Sequence, residues 1–280
     1  MSNFILLRDI PKQTVQIDLW RYEVQGGFRG FQSVPSGIHY VEIQAGELQA
    51  NFWVAVSGNE VVIRMFDYQQ QQFINDTPES EAHYQELALS GAMGKALIAY
   101  PNAEWLAWWQ LTRHIPIAPE LPQLHHESPM QPPLDLSPAD LGDWMQQKYL
   151  SRFEQALLTT HQGNTAAFLA EFQFAFVRWL VSTEGVEDQE AFRRWQHLLL
   201  ASYGAGETTI AHYPELFCDL VDTLLAQSNY LPDVLLTPDS FVCSTASHLA
   251  EDMIDTDIEA LVAQGKRLAD WLDQTIVETP

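Results

Sequence analysis

The pattern of apolar positions changes character once along the chain. Up to about residue 75, aromatic and β-branched residues come in short runs separated by turn residues, the pattern of strands. Phe4 to Ile10 is one such run, closed by Pro11, and reads as a first strand. Residues 12–43 hold three or four more. Within them, the stretch 16–41 is divided by Gly26-Gly27, Gly30 and Pro35-Ser36-Gly37, three turn signals. Phe52 to Val56 and Val61 to Phe66, joined by Ser57-Gly58-Asn59, predict a hairpin. Both strands are apolar apart from Arg64, so both faces are expected to be covered. The run Gln69–Gln72 reads as a loop or a strand edge.

Beyond it the spacing becomes helical. Thr77 before Pro78 is a capping residue followed by proline at the first helical position, opening a helix that runs to about Ser90. Gly91 and Gly94 follow. Tyr100 to Thr112 predicts a second helix, whose Trp105, Trp108, Trp109 and Thr112 form a core face covering an open sheet. Residues 116–138 hold seven of the fifteen prolines and little periodicity, which marks a linker and a domain boundary.

The remainder reads as six helices. Ser137-Pro138 opens the first, with Met145, Tyr149, Phe153, Ala156 and Leu157 in one stripe. Asn164 caps a second that is apolar nearly all round from Phe168 to Val181, as a buried central helix would be. Asp188 caps a third, with Ala191, Phe192, Trp195, Leu198 and Leu199 inward. Pro214 starts a fourth, burying Leu216, Phe217, Leu220, Val221, Leu224 and Leu225. Thr237-Pro238 starts a fifth through about Asp252, and the sixth spans about Thr256 to Gln274, with Ile258, Leu261, Val262, Leu268 and Leu272 inward. The expected fold is α+β. A β-rich, barrel- or sandwich-like domain with two covering helices occupies 1–115, a proline-rich linker 116–138, and an all-helical bundle or short superhelix 139–280.

Composition narrows the class. With 280 residues, 46% of them hydrophobic, the chain can form two cores. No apolar run reaches the roughly 18–20 residues that cross a bilayer. The start, Met1 to Arg8, lacks the basic and small-residue features of a signal peptide. Cys218 and Cys243 lie in apolar helical contexts and read as reduced residues of an intracellular protein. Acidic residues outnumber basic ones 37 to 14, for a net charge of −23. Nucleic acid would be repelled, since no basic patch is concentrated in the sequence beyond short pairs such as Arg193-Arg194. The charge serves solubility, or else attracts a basic partner for which an acidic surface would compete with RNA.

Catalytic patterns are sparse. Neither Ser36 nor Ser57 lies in a Gly-x-Ser-x-Gly elbow, and no phosphate-cradling glycine motif occurs. His125-His126-Glu127 is a conceivable metal clamp, but no third ligand lies at suitable spacing and the segment reads as solvated linker. Asp252, Asp255 and Asp257 resemble the start of a calcium loop but lack its glycine and terminal glutamate, and read better as helix-capping charge. His39 lies in the alternating stretch Ile38 to Val41, either on a polar face or hydrogen-bonded at the strand end. No catalytic, cofactor-binding or metal-ligating residue is assigned.

The order of residues in 16–41 carries more than their type. Ile17-Asp18, Tyr22, Phe28-Arg29-Gly30 and Val34-Pro35-Ser36-Gly37-Ile38-His39-Tyr40 resemble the N-terminal signature of the Aar-two family, the alpha-two repression proteins. Gly26-Gly27 stands where that family usually has Gly-Pro, and Ser36 replaces its second proline. Tyr100-Pro101 with Trp108, Leu111, Thr112 and Ile115 resembles the segment ending the family's first domain. Glu171, Phe172, Gln173 and Phe176, followed by Phe192, Trp195, Leu198 and Leu199, resemble the core of its second. Weaker matches lie at Tyr230 to Asp233 and at Asp239 to Phe241.

The resemblance implies a β-rich domain followed by a VHS-like helical domain. It implies no cofactor and no catalytic residue, the matched positions being architecture: turns at Gly30 and Gly37, cores at Trp108, Phe172 and Trp195. It further implies a cytoplasmic factor, nuclear as well if spliceosomal, acting in assembly of the U-five small nuclear ribonucleoprotein. Its partner would be the RNase H-like and Jab/MPN-like domains of the central spliceosome scaffold protein, kept from premature helicase and RNA binding. Direct nucleic-acid or membrane binding is not expected. Two alternatives stand beside this. One is a divergent relative with an unrelated protein partner, should the source lack a spliceosome. The other is a hydrolase or metal enzyme using His39 or the His125-His126 pair.

Overall fold

The computed structural model describes residues 3–11, 14–24, 26–118, 120–125, 137, 152–182 and 188–277, and the chain divides into two units, Met1–Leu121 and Pro122–Pro280. The first unit contains β1 (Asn3–Arg8), β2 (Thr14–Ile17), β3 (Trp20–Glu23), β4 (Gly30–Val34), β5 (Gly37–Ala45), β6 (Leu48–Val56), β7 (Val61–Asp67), β8 (Gln72–Ile74), α1 (Pro78–Leu89), β9 (Leu97–Ala99) and α2 (Asn102–Thr112). They form two sheets. One is mixed, in the order β8-β7-β1-β4-β9, and the other has the order β3-β2-β5-β6.

The inner faces of the two sheets share one core. Ile5 and Leu7 of β1, Phe31 of β4 and Val62 and Phe66 of β7 meet Val15, Ile17, Val41, Ile43, Val54 and Val56 from the other sheet. Because side chains alternate along a strand, Leu6 points the opposite way. There it joins Ile63, Leu97 and Ala88 of α1, with Tyr84 packed alongside. Strands β1 and β7 are therefore covered on both faces. Thr77 caps α1 by accepting from the Ser80 N–H, and Pro78 takes the position where a missing N–H costs nothing.

The predicted hairpin of residues 52–66 does not form. β6 pairs antiparallel with β5 along its whole length, from Gly37 opposite Val56 to Ala45 opposite Leu48. β7 instead pairs parallel with β1 in the other sheet, Phe4 beside Val61. The tight turn at Gly46-Glu47, with Gly46 at φ 58°, captures β6 for β5 and leaves Ser57–Glu60 as a crossing between sheets. That crossing is fastened to β1: the Glu60 N–H donates to Asn3 Oδ1 at 2.9 Å, and the Phe4 N–H donates to Glu60 O at 2.9 Å. Of the tryptophan stripe, Trp108 is buried and Trp105 half-buried, but Trp109 is exposed, with the Arg113 guanidinium over its ring. Adjacent positions on a helix point about 100° apart, so Trp108 and Trp109 cannot share one face.

The second unit is helical. A π-helical stretch, Gln155–Thr160, precedes α3 (Thr165–Val181), α4 (Gln189–Tyr203), α5 (Gly206–His212), α6 (Pro214–Ser228), α7 (Phe241–Asp255) and α8 (Glu259–Val277). Asn164 and Asp188 cap α3 and α4 through their side-chain oxygens. Every residue from Phe168 to Val177 is buried, so α3 is the central helix its composition requires. It packs on α4 and α6, with Phe168, Phe172, Phe176, Trp195, Phe217 and Phe153 all fully buried. Each such aromatic side chain contributes roughly 2–3 kcal/mol through burial.

The fifth predicted helix starts later than expected. Thr237-Pro238 lies in a turn, and Ser240 is the cap, accepting from the Cys243 N–H. The short α5 has no counterpart among the six expected helices. Met145, Tyr149 and Pro138, which were assigned to the first of them, lie outside the described residues, as does most of the linker 116–138. Cys218 is half-buried and Cys243 buried, both as free thiols. Among the described residues no helix is long and apolar enough to cross a membrane. The architecture is α+β, sheet-rich then helical.

Candidate functional site

Each unit encloses a buried carboxylate on which widely separated residues converge. In the first unit it is Asp18, in the turn between β2 and β3 at φ 53°, a left-handed conformation that Asp tolerates better than most residues. Its Oδ1 accepts from the Tyr40 N–H at 2.9 Å, and its Oδ2 accepts from the Tyr100 hydroxyl at 2.7 Å. His39 Nδ1 also lies 2.7 Å from Oδ2. The other ring nitrogen, Nε2, is 2.9 Å from Pro35 O. A carbonyl oxygen only accepts, so Nε2 carries a proton, and a second proton lies in the contact between His39 and Asp18. Of the two settings expected for His39, the structure shows the hydrogen-bonded one, with no exposed surface.

Aromatic rings close over this pair. Trp105 stacks on His39 with centroids 5.7 Å apart, and Tyr100 meets it edge-on at 5.6 Å. Burial and the Asp18 charge push the Tyr100 phenol far above its ordinary pKa. Gly37 allows Trp105 its place, because a β-carbon there would stand 2.8 Å from Trp105 Cη2. Trp108 Nε1 donates to Ile38 O at 2.7 Å, tying α2 to β5. Thr112 Oγ1 donates back to Trp108 O at 2.9 Å, and Pro101 O accepts from the Glu104 N–H at 2.9 Å in the first turn of α2. Asp18, Pro35, Gly37, His39, Tyr100 and Trp108, spread over ninety residues of sequence, are thereby parts of one buried cluster.

The remaining matched positions of this unit serve its core. Ile17 and Leu111 have no exposed surface. Tyr22 and Phe28 both pack against Phe31, at 5.7 and 5.4 Å between ring centroids. Gly30 begins β4 opposite Leu6 of its antiparallel neighbour β1, and a β-carbon there would fall 2.0 Å from Ile5 O.

In the second unit the carboxylate is Glu171 of α3, 1% exposed. Arg194 of α4 grips it with two bonds, Nε to Oε1 at 2.7 Å and Nη2 to Oε2 at 2.8 Å. The His125 N–H donates to Oε1 at 2.6 Å. Two ring nitrogens face Oε2, His161 Nε2 at 2.9 Å and His125 Nδ1 at 3.1 Å. Burial alone would push the Glu171 carboxyl up, but the close His161 imidazole, the Arg194 bonds and charge and the His125 N–H outweigh it. They hold its pKa down at about 2. Nearby, Trp195 Nε1 donates to Gln227 Oε1 at 2.9 Å and Gln173 Nε2 donates to Thr223 Oγ1 at 3.4 Å. Phe176 is fully buried beside Trp195.

Two comparisons with known families decide the membership. Residues 1–123 match the AAR2 N-terminal domain and residues 129–277 match the AAR2 C-terminal repeat region. The chain belongs to the AAR2 family. No curated protein matches it. AAR2 proteins are non-catalytic, splicing-related assembly factors that work through protein–protein interaction.

Within this AAR2 chain, Arg194 and His161 were not singled out from the sequence, though both bind Glu171. A glutamate inside the apolar run 168–181 is itself a signal that a buried partner exists. Nothing in the spacing says that the partner is Arg194. His125, expected within a solvated linker, has its backbone pinned to α3, whereas His126 and Glu127 lie outside the described residues.

Proposed function

We propose that this chain is a non-enzymatic assembly factor that binds the RNase H-like and Jab/MPN-like domains of the central scaffold protein of the spliceosome. It would hold that protein in the cytoplasm during assembly of the U-five particle and delay helicase and RNA binding. The observation that carries the reading is the match to the AAR2 family along both units. The chemistry of the first buried cluster supports it. His39 is enclosed, Nε2 donates to Pro35 O, and Nδ1 is engaged with Asp18, so neither nitrogen is free to act as a base on a substrate. The net charge of −23 favours a role in which RNA is kept away from a basic protein surface.

The test is direct binding of the purified chain to the two scaffold domains from the same source, by gel filtration and calorimetry. The reading expects a complex that excludes a single-stranded RNA otherwise bound by those domains. Absence of a complex with either domain, together with failure to recover the scaffold protein from the organism's own extract, would overturn it.

A further inference from the structure

We propose that His125, His161 and Glu171 form a binding site for a zinc-like divalent cation in the helical unit. The three residues come from three places in the chain: the segment 120–125, the turn after the π-helical stretch, and the middle of α3. Their ligand atoms all lie within 4.8 Å of one another. His161 Nε2 and His125 Nδ1 approach the same oxygen, Glu171 Oε2, at 2.9 and 3.1 Å. These separations are close to the roughly 3.3 Å edge of a tetrahedron of ligands around zinc with bonds of about 2.0–2.1 Å.

The ring nitrogens point to a ligand that hydrogen bonding does not supply. Both are buried atoms without a well-directed hydrogen-bond partner, although each is near Oε2. The His161 side chain is 3% exposed, so water cannot readily satisfy it. Two imidazole nitrogens and one carboxylate oxygen are the donor set of a three-ligand zinc centre, which leaves a fourth position for water. The His125 side chain is 41% exposed and gives the site an opening to solvent.

Arg194 determines which cation fits. Its fork neutralises Glu171: Nε and the His125 N–H bond Oε1, while Nη2 donates to Oε2 at 2.8 Å beside the two imidazoles. The pocket therefore offers nitrogen donors but no surplus negative charge. Calcium and magnesium, which need several oxygen ligands, are disfavoured against a borderline cation that bonds imidazole. Binding would clamp the segment at His125 to α3 more firmly than the N–H bond alone.

The experiment uses the full chain stripped with chelator, titrated with zinc in competition with a chromophoric chelator and separately with cobalt(II). The expected result is one metal per chain, cobalt d–d absorption of tetrahedral strength, and a rise in melting temperature on zinc addition. His125→Ala, at a half-exposed position, should weaken zinc binding by at least about tenfold, remove the thermal shift and leave the metal-free melting curve little changed. His161→Ala should do the same, with circular dichroism verifying its fold. Zinc bound well below one per chain, or affinity unchanged in a folded His125→Ala variant, would overturn the proposal.

Discussion

The Tyr100 hydroxyl donates to Asp18 Oδ2 at 2.7 Å, joining the link between β9 and α2 to the turn between β2 and β3 across 82 positions of sequence. This bond links the end of the first unit to its beginning, and it sets an alkaline limit on stability. Burial, the Asp18 charge and the hydrogen bond to Asp18 all raise the Tyr100 phenol above its ordinary value. The folded state thus keeps a proton that the unfolded state releases above about pH 10. Stability is fully present below that pH and falls above it, by up to about 1.4 kcal/mol per pH unit for this tyrosine. Tyr40, also pushed up by burial and by its bond to Glu42, adds a second contribution of the same sign. Urea unfolding between pH 8 and pH 11 should show the decline, with a shallower slope for Tyr100→Phe. At neutral pH the same substitution should cost roughly 1–3 kcal/mol, because it removes a donor from a buried carboxylate.

Gly30 and Gly37 should differ in their tolerance of a methyl group. At Gly30 the obstacle is the backbone oxygen of Ile5, 2.0 Å from the new carbon, and moving it means separating β4 from β1. At Gly37 the obstacle is one edge of the Trp105 ring, which can tilt. Gly30→Ala is expected to cost more than about 3 kcal/mol and to abolish the folded first unit, with Gly37→Ala costing about 1–3 kcal/mol. Chemical denaturation of both variants tests the order; equal destabilisation would contradict it.

The Glu171–Arg194 pair should be sharply non-additive. Removing either partner strands the other as a buried group, so Glu171→Gln and Arg194→Met are each expected to cost about 3–5 kcal/mol. The double variant should be less destabilised than the sum of the two by at least about 1.5 kcal/mol. A double-mutant cycle from metal-free denaturation curves measures this, and additivity would mean the fork contributes little.

RNA affinity provides a test of the charge argument. With 37 acidic and 14 basic residues, the isolated chain should not retard a single-stranded oligonucleotide even at low salt. A salt-dependent mobility shift at micromolar protein would show a basic patch that the sequence conceals.

Local chemistry made much of this fold legible. Thr77, Asn164 and Asp188 announce their helices because a cap acts within three residues of itself. The apolar circumference of α3 announces its burial for a similar reason. Choices between distant partners were not legible. The strand Leu48–Val56 is flanked by two usable turns, Gly46-Glu47 and Ser57-Gly58-Asn59, and only the pairing of β7 with β1, more than fifty residues away, decides that Ser57–Glu60 crosses between sheets. The Asp18 cluster stood in the sequence as three separate motifs, with nothing to say that His39 and Tyr100 address one carboxylate. Arg194 stands in the sequence only as half of a basic pair because its buried function depends on Glu171, 23 positions earlier. Trp109 was misplaced by treating neighbouring tryptophans as one face.

The central place of β1 in its sheet has a consequence for synthesis. As the chain emerges from the ribosome, Asn3–Arg8 can meet its antiparallel neighbour β4 within about thirty residues. Its parallel neighbour β7 exists only once residue 67 is out, and β4 gains its own outer neighbour β9 only near residue 99. During that interval an apolar strand has one free edge and no helix over Leu6, the condition in which nascent chains associate wrongly. The first unit thus depends on prompt delivery of residues 61–99, and slow decoding within that window would lower its yield without altering one contact of the finished protein.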